Sequence, residues 1–347
     1  MRKLPVYFVL DCSESMVGPP LEAMQKGLTS CVKALCQDPH ALETVHICVI
    51  AFAGKSEALT PLVELPAFYP PQLPLGGGTS LGAALTTLMA SIDKQVTKKT
   101  QHDKGDYKPV VWLITDGRPT DEYADAIKRW KESYQSRVNL VAVAMGYEAD
   151  TAVLKELTEQ VVVYEPDSEL DFTQFIEWVT QSIVVQSQTV AEASKGVSLA
   201  KMDDVNISLL AEIPPQTSDD TCVCLVGKCS KTGNPYVFKY EKFSLGKGVE
   251  FNLDLDTYHM SGCYPVSHSY FDWSDERFFE KTISTDKLRG VSGCPHCGNQ
   301  TAFAVCGCGK MLCINEPGTV KCPWCHEEVT FRESGDNSAF DVSRGRG

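Results

Sequence analysis

The chain has 347 residues, 43% of them hydrophobic and 22% charged, with a formal net charge of −13. That length exceeds what a single core usually covers, so two or three domains are expected. The acidic balance argues against a phosphate-backbone binder and makes nucleic acid an unlikely partner. No stretch reaches the roughly 18 apolar residues of a membrane span, so no membrane role is expected. The amino-terminal apolar run is too short for a signal peptide, which makes the cytoplasm the expected location.

Residues 4 to about 187 alternate short apolar runs with amphipathic stretches, which predicts an α/β domain with a Rossmann-like, doubly wound and mainly parallel sheet. Strands are expected at 5–10, 46–52, 110–115, 138–144 and 161–164. One helix follows "GPP", with Leu21, Met24, Leu28, Val32 and Leu35 at helical spacing. Another starts at Ser80 with Leu81, Leu85, Leu88 and Ile92 on one face, and a third starts at Asp171 and buries Phe172, Phe175, Ile176, Val179 and Ile183. The Pro-rich segment between 53 and 75 suits an edge strand or hairpin.

Three strand ends carry the chemistry. The run Val6–Leu10 leads into Asp11, Ser13 and Ser15; "LGGGTSLGAAL" places Thr79 before a helix; "ITDGRPTDE" places Asp116 after the third strand. A parallel sheet brings the carboxyl ends of its strands to one rim, where ligands bind. One rim would then gather oxygen donors only, the preference of a hard cation. Glu14 would add negative charge beside them, and Arg118 could steer an acidic ligand. Asp121 and Glu122 would favour the first turn of the next helix through its dipole.

A composition shift at "QSQTVAEASKGVS" marks a linker near 187–196, followed by a small β-rich unit over about 197–290. Seven of the fifteen cysteines then crowd into residues 294–325. The knuckles Cys294/Cys297 and Cys322/Cys325 predict one tetrahedral zinc site in a ribbon over about 291–332. A competing set uses Cys308 and Cys313 with one knuckle, so Cys306, Cys308 and Cys313 remain possible additional zinc ligands. Seven cysteines cannot form two independent four-thiolate sites, although His296 or His326 could supply an eighth ligand. Cys222 and Cys224 alternate on a strand and face one side, as buried structural cysteines. The tail from Glu333 to residue 347 lacks apolar content and is expected to be disordered.

The D-x-S-x-S string, the later Thr79 and the later Asp116 resemble the von Willebrand factor A domain family and its metal-ion-dependent adhesion site, over about residues 1–187. That resemblance implies Ser13, Ser15 and Thr79 as direct ligands of magnesium (or manganese or calcium), with Asp11 and Asp116 acting through water. With "LPVYFVLDCSES", "GKCSKTGNPYVFKYE", "CPHCG" and "CPWC", the whole chain resembles the long form of the bacterial tellurium-resistance TerY family. This resemblance implies a partner protein kinase or phosphatase in a stress-resistance or defence system. No enzyme is expected, because the three loops offer no His or Cys as a base apart from Cys12. The alternatives are a cysteine-based metalloid or redox sensor and a magnesium-dependent phosphoryl-transfer enzyme.

Overall fold

The computed structural model describes residues 2–100, 104–116, 118–145, 151–164, 169–189, 207–209, 222–242, 257–275, 281–331 and 339–344. The chain divides into two compact units. The first comprises Met1–Cys12, Pro19–Pro74 and Thr79–Thr217; the second comprises Ser218–Gly347 together with Ser13–Gly18 and Leu75–Gly78.

In the first unit the elements run β1 (Leu4–Asp11), α1 (Pro19–Leu35), α2 (Pro39–Thr44), β2 (Val45–Phe52), β3 (Ser56–Ala58), β4 (Val63–Glu64), α3 (Leu81–Gln95), β5 (Val110–Thr115), α4 (Ala124–Ser133), β6 (Asn139–Met145), α5 (Thr151–Leu157), β7 (Val161–Tyr164), α6 (Glu169–Thr189) and β8 (Ile207–Leu209). They build an eight-stranded sheet in the order β3-β2-β1-β5-β6-β7-β8, with β4 also pairing to β2. β2, β1, β5, β6 and β7 are parallel; β3, β4 and β8 add antiparallel edges. All eight residues of β1 are buried, as a central parallel strand requires.

Each face of this sheet has its own cover. Tyr7, Val9, Val111 and Leu113 pack with Leu81, Leu85, Leu88 and Ile92 of α3 and with Ile127 and Trp130 of α4. On the opposite face Trp112 meets Trp178 of α6 edge-on at 5.5 Å, and Tyr164 stacks on Phe175. Burying side chains of this size is worth roughly 1.5–3 kcal/mol each, which fixes the register of the strands whose ends carry the site.

The five predicted strands and three predicted helices are present, and the Pro-rich segment supplies β3 and β4. The short helices α2 and α5 have too few turns to show a helical period. The composition shift near 187 does not end the first unit, since α6 continues to Thr189 and β8 rejoins its sheet. Most of the expected linker, from 190, lies outside the described residues.

The second unit contains β9 (Cys222–Lys228), β10 (Pro235–Lys242), β11 (Tyr258–Pro265), α7 (Ser269–Trp273), β12 (Lys281–Ser284), β13 (Leu288–Arg289), β14 (Thr301–Val305), β15 (Met311–Ile314), β16 (Gly318–Lys321), β17 (Glu328–Phe331) and β18 (Asp341–Arg344). Its main sheet has the order β13-β11-β10-β9-β15-β14. The expected middle unit and ribbon are therefore not separate bodies, because β15 of the ribbon pairs in parallel with β9. Their shared core includes Leu225, Tyr236, Phe238, Ala302, Met311 and Cys313. The tail expected to be disordered contains β18, which pairs with β12 and buries Val342. The alternation in "FDVSR" suffices for an edge strand; residues 332–338 and 345–347 lie outside the described residues.

Candidate metal centres

Asp11 and Thr115 end the neighbouring parallel strands β1 and β5, and the Thr115 hydroxyl donates to Asp11 Oδ2 at 2.5 Å. Asp116, half-buried, follows directly. This pair lies where the strand order reverses, because β1 is flanked by β2 on one side and β5 on the other. Thr79 reaches the same rim through its neighbour, since the Ser80 amide donates to the carbonyl of Ala53, just beyond β2. Thr79 also exchanges two bonds with Thr120: its amide donates to the Thr120 hydroxyl at 2.9 Å, and the Thr120 amide donates to its carbonyl at 2.8 Å. The Thr79 hydroxyl is buried and has no hydrogen-bond partner. A buried hydroxyl without a partner costs roughly 1–3 kcal/mol, so a ligand for that oxygen is the natural completion.

Ser13 and Ser15 follow β1 on a short 3-10 turn, Glu14–Met16. Both are buried, and their hydroxyl oxygens are 3.0 Å apart. Oxygens at adjacent vertices of an octahedron with 2.0–2.1 Å bonds to magnesium lie about 2.9 Å apart, so the serine pair matches a hard-cation edge. Ser13 also bridges to Gly76, three residues before Thr79. Of the sequence-predicted residues, Asp11, Thr79 and Asp116 thus belong to the first unit, Asp11 and Asp116 at the ends of β1 and β5 and Thr79 just before α3, while Ser13 and Ser15 belong to the second. Together the five offer two carboxylates and three hydroxyls, the donor types that a hard divalent ion takes.

Two expectations about the surrounding charges need correction. Glu14 carries negative charge less readily than an exposed carboxylate. Burial pushes its carboxyl well above the usual range, against the opposing effect of the Tyr270 hydroxyl, which donates to Glu14 Oε2 at 2.8 Å. Asp121 does not serve the helix that follows it. Its carboxylate accepts from the amides of Gly82 at 3.2 Å and Ala83 at 3.0 Å, capping α3 from a distance. Ser80, at the N-cap position, makes no side-chain cap and instead donates to the Gly54 carbonyl. A Cβ on Gly82 would lie 2.7 Å from the Glu122 carbonyl oxygen, so this close approach needs glycine. Asp121→Ala should cost about 1 kcal/mol, as loss of an N-cap does, and should loosen Thr79; thermal unfolding checks the first and metal affinity the second. Arg118 lies half-buried one residue past Gly117, which is outside the described residues.

Eight of the cysteines of the second unit form two tetrads. Cys229, Cys294, Cys297 and Cys313 have all their sulfurs within 4.8 Å of one another, and so do Cys306, Cys308, Cys322 and Cys325. The expected single site from Cys294, Cys297, Cys322 and Cys325 is therefore not what the geometry presents. Its two knuckles belong to different clusters, and Cys306, Cys308 and Cys313 complete them. The eighth thiol comes from Cys229 rather than from His296 or His326; His296 Nε2 lies 2.8 Å from the Pro235 carbonyl instead. The separations Cys297–Cys313, Cys306–Cys325 and Cys308–Cys322 are 3.7, 3.7 and 3.9 Å. Four thiolates bound at 2.3 Å to a tetrahedral zinc lie about 3.8 Å apart, whereas a disulfide needs about 2.05 Å. Both tetrads thus have the dimensions of zinc sites.

All four turns supplying these sulfurs share one backbone device. The Cys229, Cys294 and Cys322 amides each donate to the carbonyl five residues on, and their carbonyls accept from the amide four residues on. Cys306 has a version one residue tighter, using Lys310 and Gly309. The turn residue is left-handed in every case: Gly233 at φ 72°, Gly298 at 72°, Gly309 at 78° and His326 at 64°. These turns aim amides at sulfur, as with Thr232 on Cys229 at 3.4 Å, Ser230 on Cys313 at 3.2 Å and Trp324 on Cys322 at 3.5 Å. Burial pushes the Cys229 thiol up, but hydrogen bonds from Thr232, Lys231 and Cys297 outweigh it and bring it to about 6. Cys322 is lowered in the same way, with burial opposed by the amides of Cys325 and Trp324. Thiolate is the form that binds metal.

Comparison with known families identifies a von Willebrand factor type A domain at residues 6–177 and a TerY-C metal binding domain at residues 219–347. No curated protein matches the chain. Among solved structures, proximal thread matrix protein 1 from the mussel byssus is similar at 14% identity and a TM-score of 0.40, over 53% of this chain and 48% of that one. A von Willebrand factor type A protein from Catenulispora acidiphila matches at 14% identity and 0.41, over 77% and 55%. The ArnB paralog VWA2 from Sulfolobus acidocaldarius matches at 12% and 0.38, over 99% and 66%. The chain spans about half the length of the first of these. With a von Willebrand A domain, a carboxy-terminal TerY-C domain and eight cysteines in two tetrads, the chain is a TerY-like von Willebrand A protein.

Proposed function

We propose that this protein is a metal-dependent adaptor that binds a partner protein through a magnesium ion at the rim of its first sheet, and that two zinc ions hold its second unit together. The observation that carries this reading is the buried Thr79 hydroxyl, without a partner, on a loop bonded to Thr120. A magnesium ion held there by Ser13, Ser15 and Thr79 would have neutral direct ligands, with Asp11 and Asp116 acting behind water. Such an ion stays electrophilic and keeps exchangeable waters that a carboxylate can replace. Manganese or calcium would satisfy the same oxygen donors. The resemblance to the TerY family supplies the class of partner, a protein kinase or phosphatase in a bacterial stress-resistance or defence system working in the cytoplasm. No described helix is long and apolar enough to cross a membrane.

Binding without catalysis is favoured because Cys12, the one His or Cys among the described residues of these loops, is fully buried and its thiol is pushed well up by burial and by Asp11. The test is calorimetric titration against kinases and phosphatases encoded beside this gene. Affinity should fall on the order of 100-fold when magnesium is replaced by excess chelator, the scale of losing one desolvated charge contact. Equal affinity in both conditions would remove the ion from recognition.

A further inference from the structure

Cys222 and Cys224 belong to neither tetrad, yet their sulfurs lie only 3.8 Å apart on one face of β9. Cys222 is partly exposed and Cys224 is fully buried. On β10, Glu241 is in register with Cys222 and Lys239 with Cys224. Lys239 is buried but remains an ammonium, because Glu241 pairs with it at 2.9 Å and both sulfurs favour its charge. The Cys224 thiol donates to the Glu14 carbonyl at 3.4 Å within the second unit. That carbonyl belongs to the 3-10 turn carrying Ser15.

We infer that Cys222 and Cys224 form a peroxide-sensitive dithiol whose oxidation releases the Ser13–Ser15 turn. The Cys222 thiolate attacks one peroxide oxygen; the O–O bond breaks, sulfur becomes a sulfenic acid, and the other oxygen leaves as hydroxide and takes a proton to become water. The Cys224 sulfur then attacks the sulfenic sulfur. The S–S bond forms, the S–O bond breaks, and the hydroxyl leaves as water with the Cys224 proton. Two thiols and one hydrogen peroxide thus yield one disulfide and two waters. The donated proton is the one that had bound the Glu14 carbonyl, so the turn loses that anchor.

The reaction is reversible by design of the strand. Residues two apart on a strand have Cα atoms about 6.7 Å apart, at the upper edge of the range a disulfide spans. A strained disulfide has a high reduction potential and is readily reduced by thiols. The zinc tetrads would be protected by their metal, whereas Cys36 is exposed and Cys263 partly exposed, so the mapping must tell this pair from those thiols.

The experiment treats the zinc-loaded, full-length protein with stoichiometric hydrogen peroxide and maps its cysteines by mass spectrometry. Cys222 and Cys224 share the tryptic peptide 202–228. The expected result is loss of two hydrogens from that peptide, reversed by dithiothreitol, with magnesium affinity of the oxidised protein at least several-fold weaker. Cys222→Ser should abolish both changes, and Cys224→Ser should instead accumulate a sulfenic acid trapped by dimedone. Failure to form the disulfide while peroxide oxidises other thiols would overturn the inference, as would a disulfide that leaves magnesium affinity unchanged. The latch rests on the proposed magnesium site. If the reduced protein binds no magnesium, that reading and the latch fail together, whereas the disulfide itself is decided by the mass measurement alone.

Discussion

Cys229→Ser should reduce the zinc content of the purified protein from two ions per chain to one, and Cys308→Ser should do the same from the other tetrad. The double variant should hold none. Structural zinc contributes roughly 10–16 kcal/mol to folding in small domains, more than the whole stability of an ordinary domain. Either single variant should therefore expose much of the second unit to proteolysis while the sheet built on β1 and β5 survives. Cys229 is the decisive position. A single site made of Cys294, Cys297, Cys322 and Cys325 would keep its ion in that variant, so unchanged zinc by elemental analysis would refute the paired tetrads.

Thr79→Ala should invert its effect on stability with the metal. In metal-free protein the substitution removes a buried hydroxyl that lacks a partner, so unfolding free energy should hold or rise, by up to about 1–3 kcal/mol. In saturating magnesium the wild type gains RT ln(1 + [L]/Kd), about 2.7 kcal/mol at 100 times Kd, and the variant gains little. Denaturant unfolding with and without magnesium reads both signs. A variant that is equally destabilised in the two conditions would make Thr79 a packing residue. Asp11→Ala is a less clean test, because Asp11 is fully buried and its loss removes the acceptor of the Thr115 hydroxyl bond.

The parallel sheet was legible because burial on both faces writes a continuous apolar run, as in β1 and β5, and the metal rim because its oxygen donors sit directly beyond such runs. Asp121 was harder to read. Its partner, the first turn of α3, lies some forty residues earlier, and local sequence suggests only the nearer helix. Glu14 was misread for a related reason: the charge of a carboxyl depends on what encloses it, and Tyr270 is remote in sequence. The pairing of cysteines followed the C-P-x-C spacing too closely. The better signal is the turn itself, since "CSKTGN" around Cys229 and "CPHCGN" around Cys294 share a cysteine, a left-handed glycine four residues on, and an asparagine after it. The absence of a second cysteine in the first of these hid it.

The two tetrads interleave along the chain, because Cys306 and Cys308 lie between Cys297 and Cys313. An unfolded chain offering eight thiols can therefore capture an ion with the wrong four, and correct assembly becomes a matter of sequence in time. Closing the loop from Cys306 to Cys325 costs about 1.3 kcal/mol less entropy than closing that from Cys229 to Cys313. The shorter circuit is favoured to fill first and to commit Cys306 and Cys308, which would leave Cys313 to await the arrival of β9 beside β15. Metal supplied before that arrival would be productive at one centre and a trap at the other.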